Sequence, residues 1–165
     1  MVKTLLDMSE LQTVSRDETI AVDALVDEVL VDLEPLAQEK EIKLIGNCKD
    51  TTMVGSDILI YRMVYNLVEN AIKYNHFGGQ VTVTAYRKGK NICLSVEDTG
   101  SGIPAELKER IFEPFFRVDK SRSRQLGGVG LGLALVREIV RVHDGRITVQ
   151  SSPSGGTIFE VVFTQ

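Results

Sequence analysis

The chain has 165 residues, 43% of them apolar and 25% charged, a composition that supports one folded globular core and excludes a disordered chain. Its 19 basic residues against 23 acidic ones leave a formal net charge of -4, too small and of the wrong sign for a protein held to nucleic acid by phosphate contacts. Cys48 and Cys93 form no CxxC and read as reduced structural thiols, which favours a reducing, intracellular setting.

No apolar run approaches the roughly 18 residues that span a bilayer, and the acids inside "MVKTLLDMSELQ" argue against a secretory signal. A cytoplasmic domain is expected, with any membrane anchor outside these residues. The opening segment places Leu5, Met8 and Leu11 at helical spacing, beside Gln12, and predicts a helix stub over 1–15. A single domain over 16–165 follows, since no repeat, low-complexity tract or Pro/Gly/Ser-rich linker divides it. A short strand, "IAV", leads to a helix reaching about Lys40, with Asp23 in the N-cap position and Leu25, Val29, Leu33 and Leu36 on one face. "EIKLIGN" predicts a strand, and residues from about Asp57 to Tyr74 a long helix. "QVTVTAYR" and "NICLSVED" alternate strictly and predict a hairpin around "KGKN". The glycine-rich, charged stretch from Thr99 to Gly130 is too long for a plain connection and reads as a functional loop or lid, with a short helix in "AELKERI" after Pro104. A last helix from about Gly130 to His143 precedes two strands, "GRITVQS" and "GTIFEVVFTQ". The fold class expected is α+β, a two-layer α/β sandwich whose mixed, mostly antiparallel sheet carries helices on one face.

Three stretches carry chemistry. In "VYNLVENAIKYN", Asn66, Asn70, Lys73 and Tyr74 share a stripe beside the apolar Ile60, Val64, Leu67 and Ala71, although asparagine is a poor helix former. Amide oxygens suit a hard Mg²⁺ ion and an ammonium suits phosphate; the plain alternative is two solvated or loop-capping amides. In "NICLSVEDTGSGIP", Asp98 follows Ile92, Leu94 and Val96 onto the apolar face of a strand, so its carboxylate is aimed inward and needs a donor, such as a purine amino group, or else caps its own tight turn. Gly100 and Gly102 permit close main-chain approach to a flat ligand. In "GGVGLGLALV", Gly127, Gly128, Gly130 and Gly132 open an apolar helix, the arrangement of a phosphate cradle, with Arg117, Lys120, Arg122 and Arg124 just before it.

Taken together, "NLVENAIKYN", "DTGSGIP", "FEPFFRVD", "GVGLGLALV" and "GGTIF" resemble, in order, the N, G1, F, G2 and G3 boxes of the catalytic ATP-binding domain of bacterial sensor histidine kinases. The resemblance implies binding of ATP with Mg²⁺ and transfer of the γ-phosphate to a histidine. It implies Asn70 as the metal ligand with Asn66 in support, and Lys73 and Tyr74 at phosphate, sugar or base. Asp98 would accept from adenine N6, with Gly100, Gly102 and Ile103 lining that pocket and Thr157 adding a water-mediated contact. Arg117 would meet the γ-phosphate, Arg122 would lie in the ATP lid with Arg124, and Gly128, Val129, Gly130, Leu131 and Gly132 would present main chain to the phosphates.

Gyrase-type ATPases of the same fold place a water-activating glutamate four residues before the metal-binding asparagine. Here that position is Asn66, and Glu69 lies about 60° round the helix, so transfer to an acceptor is expected over hydrolysis. The acceptor would sit in a dimerisation domain whose second helix the "LLDMSEL" stretch resembles; neither His76 nor His143 has an acceptor context, and both read as surface or capping residues. Expected partners are that domain and a response regulator. The isolated domain is expected as a monomer and the full-length protein as a membrane-anchored homodimer. A non-catalytic ATP sensor, or a serine-kinase or ATPase relative on the same fold, is the alternative. Gly100, Gly102 and Ala105 fit a dinucleotide fingerprint formally, but no strand follows to complete a βαβ unit, and no Walker A is present. Asn75, His76 and Phe77 depart from the threonine-proline more usual after the N box, at the lip of the adenine pocket.

Overall fold

The computed structural model describes residues 11–114, 116 and 132–165. After a 3-10 turn at Leu11–Thr13, strand β1 (Glu18–Ala21) pairs antiparallel with β3 (Thr52–Gly55) in a two-stranded ribbon. Helix α1 (Val22–Glu39) lies between β1 and β2 (Lys43–Cys48), and helix α2 (Asp57–Lys73) follows the ribbon. Strands β4 (Gln80–Lys88) and β5 (Asn91–Asp98) form the expected hairpin, with Lys88 opposite Asn91 and Gly89 at φ 62° in the turn. Helix α3 (Gly132–Val142), β6 (Arg146–Ser151) and β7 (Thr157–Thr164) complete the chain.

The main sheet has the order β2-β4-β5-β7-β6. Only β2 and β4 are parallel, because the chain between them crosses over the sheet through α2; the other pairs are antiparallel. Alternation in the strands turns one face inward: Val81, Val83 and Ala85 from β4, Ile92, Leu94 and Val96 from β5, and Phe159, Val161 and Phe163 from β7 are buried. Against them pack Ile60, Met63, Val64, Leu67, Val68, Ala71 and Ile72 of α2 with Leu135, Val136 and Ile139 of α3. Each large apolar side chain removed from water there contributes about 1.5–3 kcal/mol. The mixed sheet with helices on one face is the architecture expected from the sequence.

Several local expectations are corrected. Asp23 is not the N-cap of α1: that residue is Ala21, the helix starts at Val22, and Asp23 sits in the first turn with a buried, unpartnered Oδ1. The residue just before β3 supplies an acceptor to the helix start, since Val22 N donates to Thr51 O at 2.8 Å. Strand β3 had no forecast, because in four residues only Met53 and Gly55 turn inward. "AELKERI" is not one helix but two 3-10 turns, Ala105–Leu107 and Arg110–Phe112, held down by buried Ile111 and by Phe112, whose ring meets Phe159 edge-on at 6.2 Å. Helix α2 matches its forecast and is capped by Ser56, whose side chain accepts from Leu59 N at 3.3 Å. Both cysteines are free. Among the described residues no helix is long and apolar enough to cross a membrane.

Candidate active site

The apolar stripe of α2 fixes the helix's rotation, and Asn66, Asn70, Lys73 and Tyr74 are thereby left half-buried along its margin. Among the described residues neither Asn66 nor Asn70 has a side-chain hydrogen-bond partner, so both amides are available to a ligand. Lys73 lies one turn from Glu69, with Nζ 3.8 Å from its carboxylate.

Asp98 ends β5 on the buried face, opposite Val81, with 8% of its surface exposed. Its Oδ1 accepts from Gly100 N at 2.8 Å and from Thr157 N at 3.3 Å. Both donors engage one oxygen, and Oδ2 has no hydrogen-bond partner among the described residues. Burial pushes the carboxyl above its ordinary value, opposed by those two main-chain bonds. The arrangement is therefore an oriented, partly desolvated acceptor with one oxygen to spare.

The helix and the acid meet at Gly100. A Cβ there would lie 2.5 Å from Tyr74 O, 3.2 Å from Asn75 Cα and 3.1 Å from Asp98 Oδ1, so the last turn of α2 rests directly on the turn after β5. Gly102, at φ 76°, would bring a Cβ within 2.7 Å of Gly155 O. The glycines expected to admit a ligand thus also admit neighbouring main chain. Ile103 packs half-buried against the core, and Gly132 is the exposed first residue of α3, with nothing within 4 Å of its Cβ position among the described residues. Thr157 reaches Asp98 through its main-chain N–H, a direct contact in addition to the water-mediated one expected. Arg117, Arg122, Arg124, Gly127, Gly128, Val129, Gly130 and Leu131 lie outside the described residues.

Sequence reasoning missed how the lip is built. Asn75 is 1% exposed: its Nδ2 donates to Gln80 O at 3.1 Å, and its Oδ1 accepts from His76 N at 2.8 Å and from the Thr99 hydroxyl at 3.1 Å. Thr99 Oγ1 in turn accepts from Gln80 N at 2.9 Å. Gly156 was missed as well, though a Cβ there would fall 2.0 Å from Asp98 O. The only sequence hint was the glycine at each contact point. Of the two readings open for His143, surface or capping, the structure shows the second. His143 is half-buried, its Nε2 accepts from Ser56 N at 3.0 Å, its Nδ1 donates to Ile139 O at 2.8 Å, and its ring meets Phe163 edge-on. That pattern requires the neutral ring, and burial depresses its pKa below the ordinary 6.5.

With this geometry stands a match, over residues 55–165, to the family described as "Histidine kinase-, DNA gyrase B-, and HSP90-like ATPase". The chain belongs to that family. Within it the similarity points to histidine kinases. The "Sensor-like histidine kinase SenX3" of Mycobacterium tuberculosis is 39% identical over 163 residues, covering 96% of this chain and 40% of SenX3, so the chain spans well under half of that relative. The structure of the mycobacterial sensor histidine kinase MprB superposes with a TM-score of 0.80 at 27% identity, over 90% of this chain and 97% of that one. Histidine kinase ThkA, solved in complex with the response regulator protein TrrA, superposes with a TM-score of 0.79 at 27% identity, covering 99% of this chain and 46% of that one. The chain is an ATP-binding domain of the histidine-kinase type, and its recognition from the five boxes is borne out.

Proposed function

We propose that this domain binds Mg-ATP between α2 and the Asp98 turn and hands the γ-phosphate to a histidine on a separate dimerisation domain, within a two-component system. One observation carries the reading: among the described residues, Asp98 holds a carboxylate with one oxygen unengaged, pressed against the end of the helix whose margin bears two unpartnered amides. In this reading Asp98 Oδ2 accepts from the adenine amino group, while Gly100 N and Thr157 N fix the carboxylate's orientation through Oδ1. Gly102 and Ile103 line the base, and Tyr74 stands between base and phosphates.

Asn66 and Asn70 are neutral oxygen donors, a set that suits Mg²⁺, and Asn70 is assigned as its ligand with Asn66 beside it. The ion, when bound, would offset phosphate charge. Lys73 supplies a fixed positive charge on the same margin. Arg117 and Arg122, with the main chain of Gly128, Val129, Gly130, Leu131 and Gly132, are assigned to the phosphates by the resemblance. An amide at Asn66 cannot take a proton from water, which supports transfer over hydrolysis. The response regulator is proposed as the onward acceptor, in line with the ThkA–TrrA complex, and a homodimeric, membrane-anchored whole protein is proposed from the resemblance alone.

The test is Asn70→Asp. Phosphotransfer from Mg-ATP to a supplied histidine-bearing helical pair is expected to be lost, by at least about a hundredfold, on the scale at which positioning and electrostatics carry this chemistry. Undiminished turnover would refute the metal assignment.

A further inference from the structure

The side chain that secures the end of α2 comes from outside every box. Lys40 directly follows α1, and its ammonium donates to the main-chain carbonyls of Ile72, Lys73 and Asn75 at 3.2, 2.9 and 2.8 Å. An ammonium carries as many donors as there are carbonyls here, and a helix C-terminus both leaves carbonyls open and favours positive charge. The main chain of the same residue adds a bond, since Lys40 O accepts from Gly78 N at 2.8 Å. The last clamped carbonyl belongs to Asn75, whose buried amide binds Gln80 O and meets the Thr99 hydroxyl. Thr99 is the residue after Asp98. From Lys40 to Asp98 every link is a hydrogen bond or a covalent bond.

We infer that Lys40 is a positioning residue for nucleotide binding, setting the end of the amide-bearing helix against Asp98 through Asn75 and Thr99. The inference rests on the Mg-ATP reading above. The helix carries the groups assigned to phosphate and metal, and the Asp98 turn carries the group assigned to the base. Contact between the two is made at main chain, at Tyr74 O against Gly100, where no side chain can adjust. The clamp therefore sets the distance between the two halves of the site.

Lys40→Met keeps the length and the apolar stem and removes the donors. Titration of the 165-residue chain with Mg-ATP, well below its unfolding transition, is expected to give about tenfold weaker binding, the change that 1.4 kcal/mol corresponds to. Circular dichroism is expected to keep the helical signal. Because Lys40 acts through the placement of Asp98, Lys40→Met is expected to cost little further in an Asp98→Asn background. Losses that multiply independently, or full affinity in folded Lys40→Met, would overturn the inference. Thr99→Val breaks the strap without touching the helix end and reports even if Lys40→Met does not fold. A several-fold loss supports the inference, and unchanged affinity overturns it. Absence of Mg-ATP binding by the unsubstituted chain would sink the ATP reading and this inference together, whereas normal binding with silent variants sinks only the latter.

Discussion

Asp98 exerts its effect by being poorly solvated. Burial raises its pKa, so at neutral pH the folded chain holds a carboxylate in an environment that disfavours the charge. The raised value places this group's contribution to stability at acid pH and removes it as pH rises through the folded pKa. Asp98→Asn keeps an oxygen for Gly100 N and Thr157 N while removing the charge. It is expected to raise the stability of the nucleotide-free domain at neutral pH by on the order of 1 kcal/mol, as relief of a functional-site strain does. The same change is expected to weaken ATP more than GTP; denaturant unfolding and competition titrations read the two effects, and equal loss for both nucleotides would argue against a contact to adenine. His143 works with the opposite sign. Burial lowers its pKa, Arg16 lowers it further, and the bond to Ile139 and the charge of Asp144 oppose them, so the unfolded chain takes up the proton first. Its contribution is complete above about pH 6.5 and is lost as pH falls through the lower folded value. Thermal unfolding is expected to show a falling Tm across that window, and a His143→Phe chain to show a flatter profile.

At the scale of elements, α2 carries two different stripes, a buried apolar one and the amide-bearing margin proposed for the nucleotide. Leu67 is fully buried at the centre of the apolar stripe, one residue from Asn66. Leu67→Ala is expected to cost about 2–5 kcal/mol in chemical denaturation, by lost burial and the cavity left behind. An asparagine in the margin costs the helix only some tenths of a kcal/mol in propensity, which the packing of one such leucine outweighs. Tight main-chain contacts leave less room. A Cβ at Gly156 would sit 2.0 Å from Asp98 O, inside any allowed contact, so β7 must shift away from β5 to accept it. Gly156→Ala is expected to lose ATP binding even in molecules that retain native helical content, which titration and circular dichroism on one sample would establish.

At the scale of the whole molecule, the helices cover one face of the sheet, and the candidate site lies at its margin, where α2 ends against the turn after β5. An acceptor brought up from another domain can meet such a site; of this chain's histidines, His76 lies at the lip beside Asn75 and His143 is held elsewhere. His143 is committed to Ser56 and Ile139, where the end of α3 meets the cap of α2. Incubation with labelled Mg-ATP is accordingly expected to leave the chain itself unlabelled and to label an added histidine-bearing helical pair; stable labelling of His76 or His143 would contradict transfer to a separate domain.

Strict alternation made β4 and β5 legible, because a strand with one buried face must repeat every second residue, and the long stripe made α2 legible for the corresponding helical reason. Asp98 could be placed on the inner face by the same counting. Strand β3, and with it the pairing to the forecast β1, escaped, since a four-residue strand with few inward side chains has no period to read. The roles of Asn75, Thr99 and Lys40 escaped because bonds from their side chains to groups elsewhere in the fold leave no pattern in local order. The amino-acid sequence by itself thus determined which side chains face inward and which boxes are present. Only the tertiary structure decided how the end of α2 is tied to Asp98, because that distance is set by the Lys40, Asn75 and Thr99 side chains and by main-chain groups far apart in the sequence, which folding alone brings within reach.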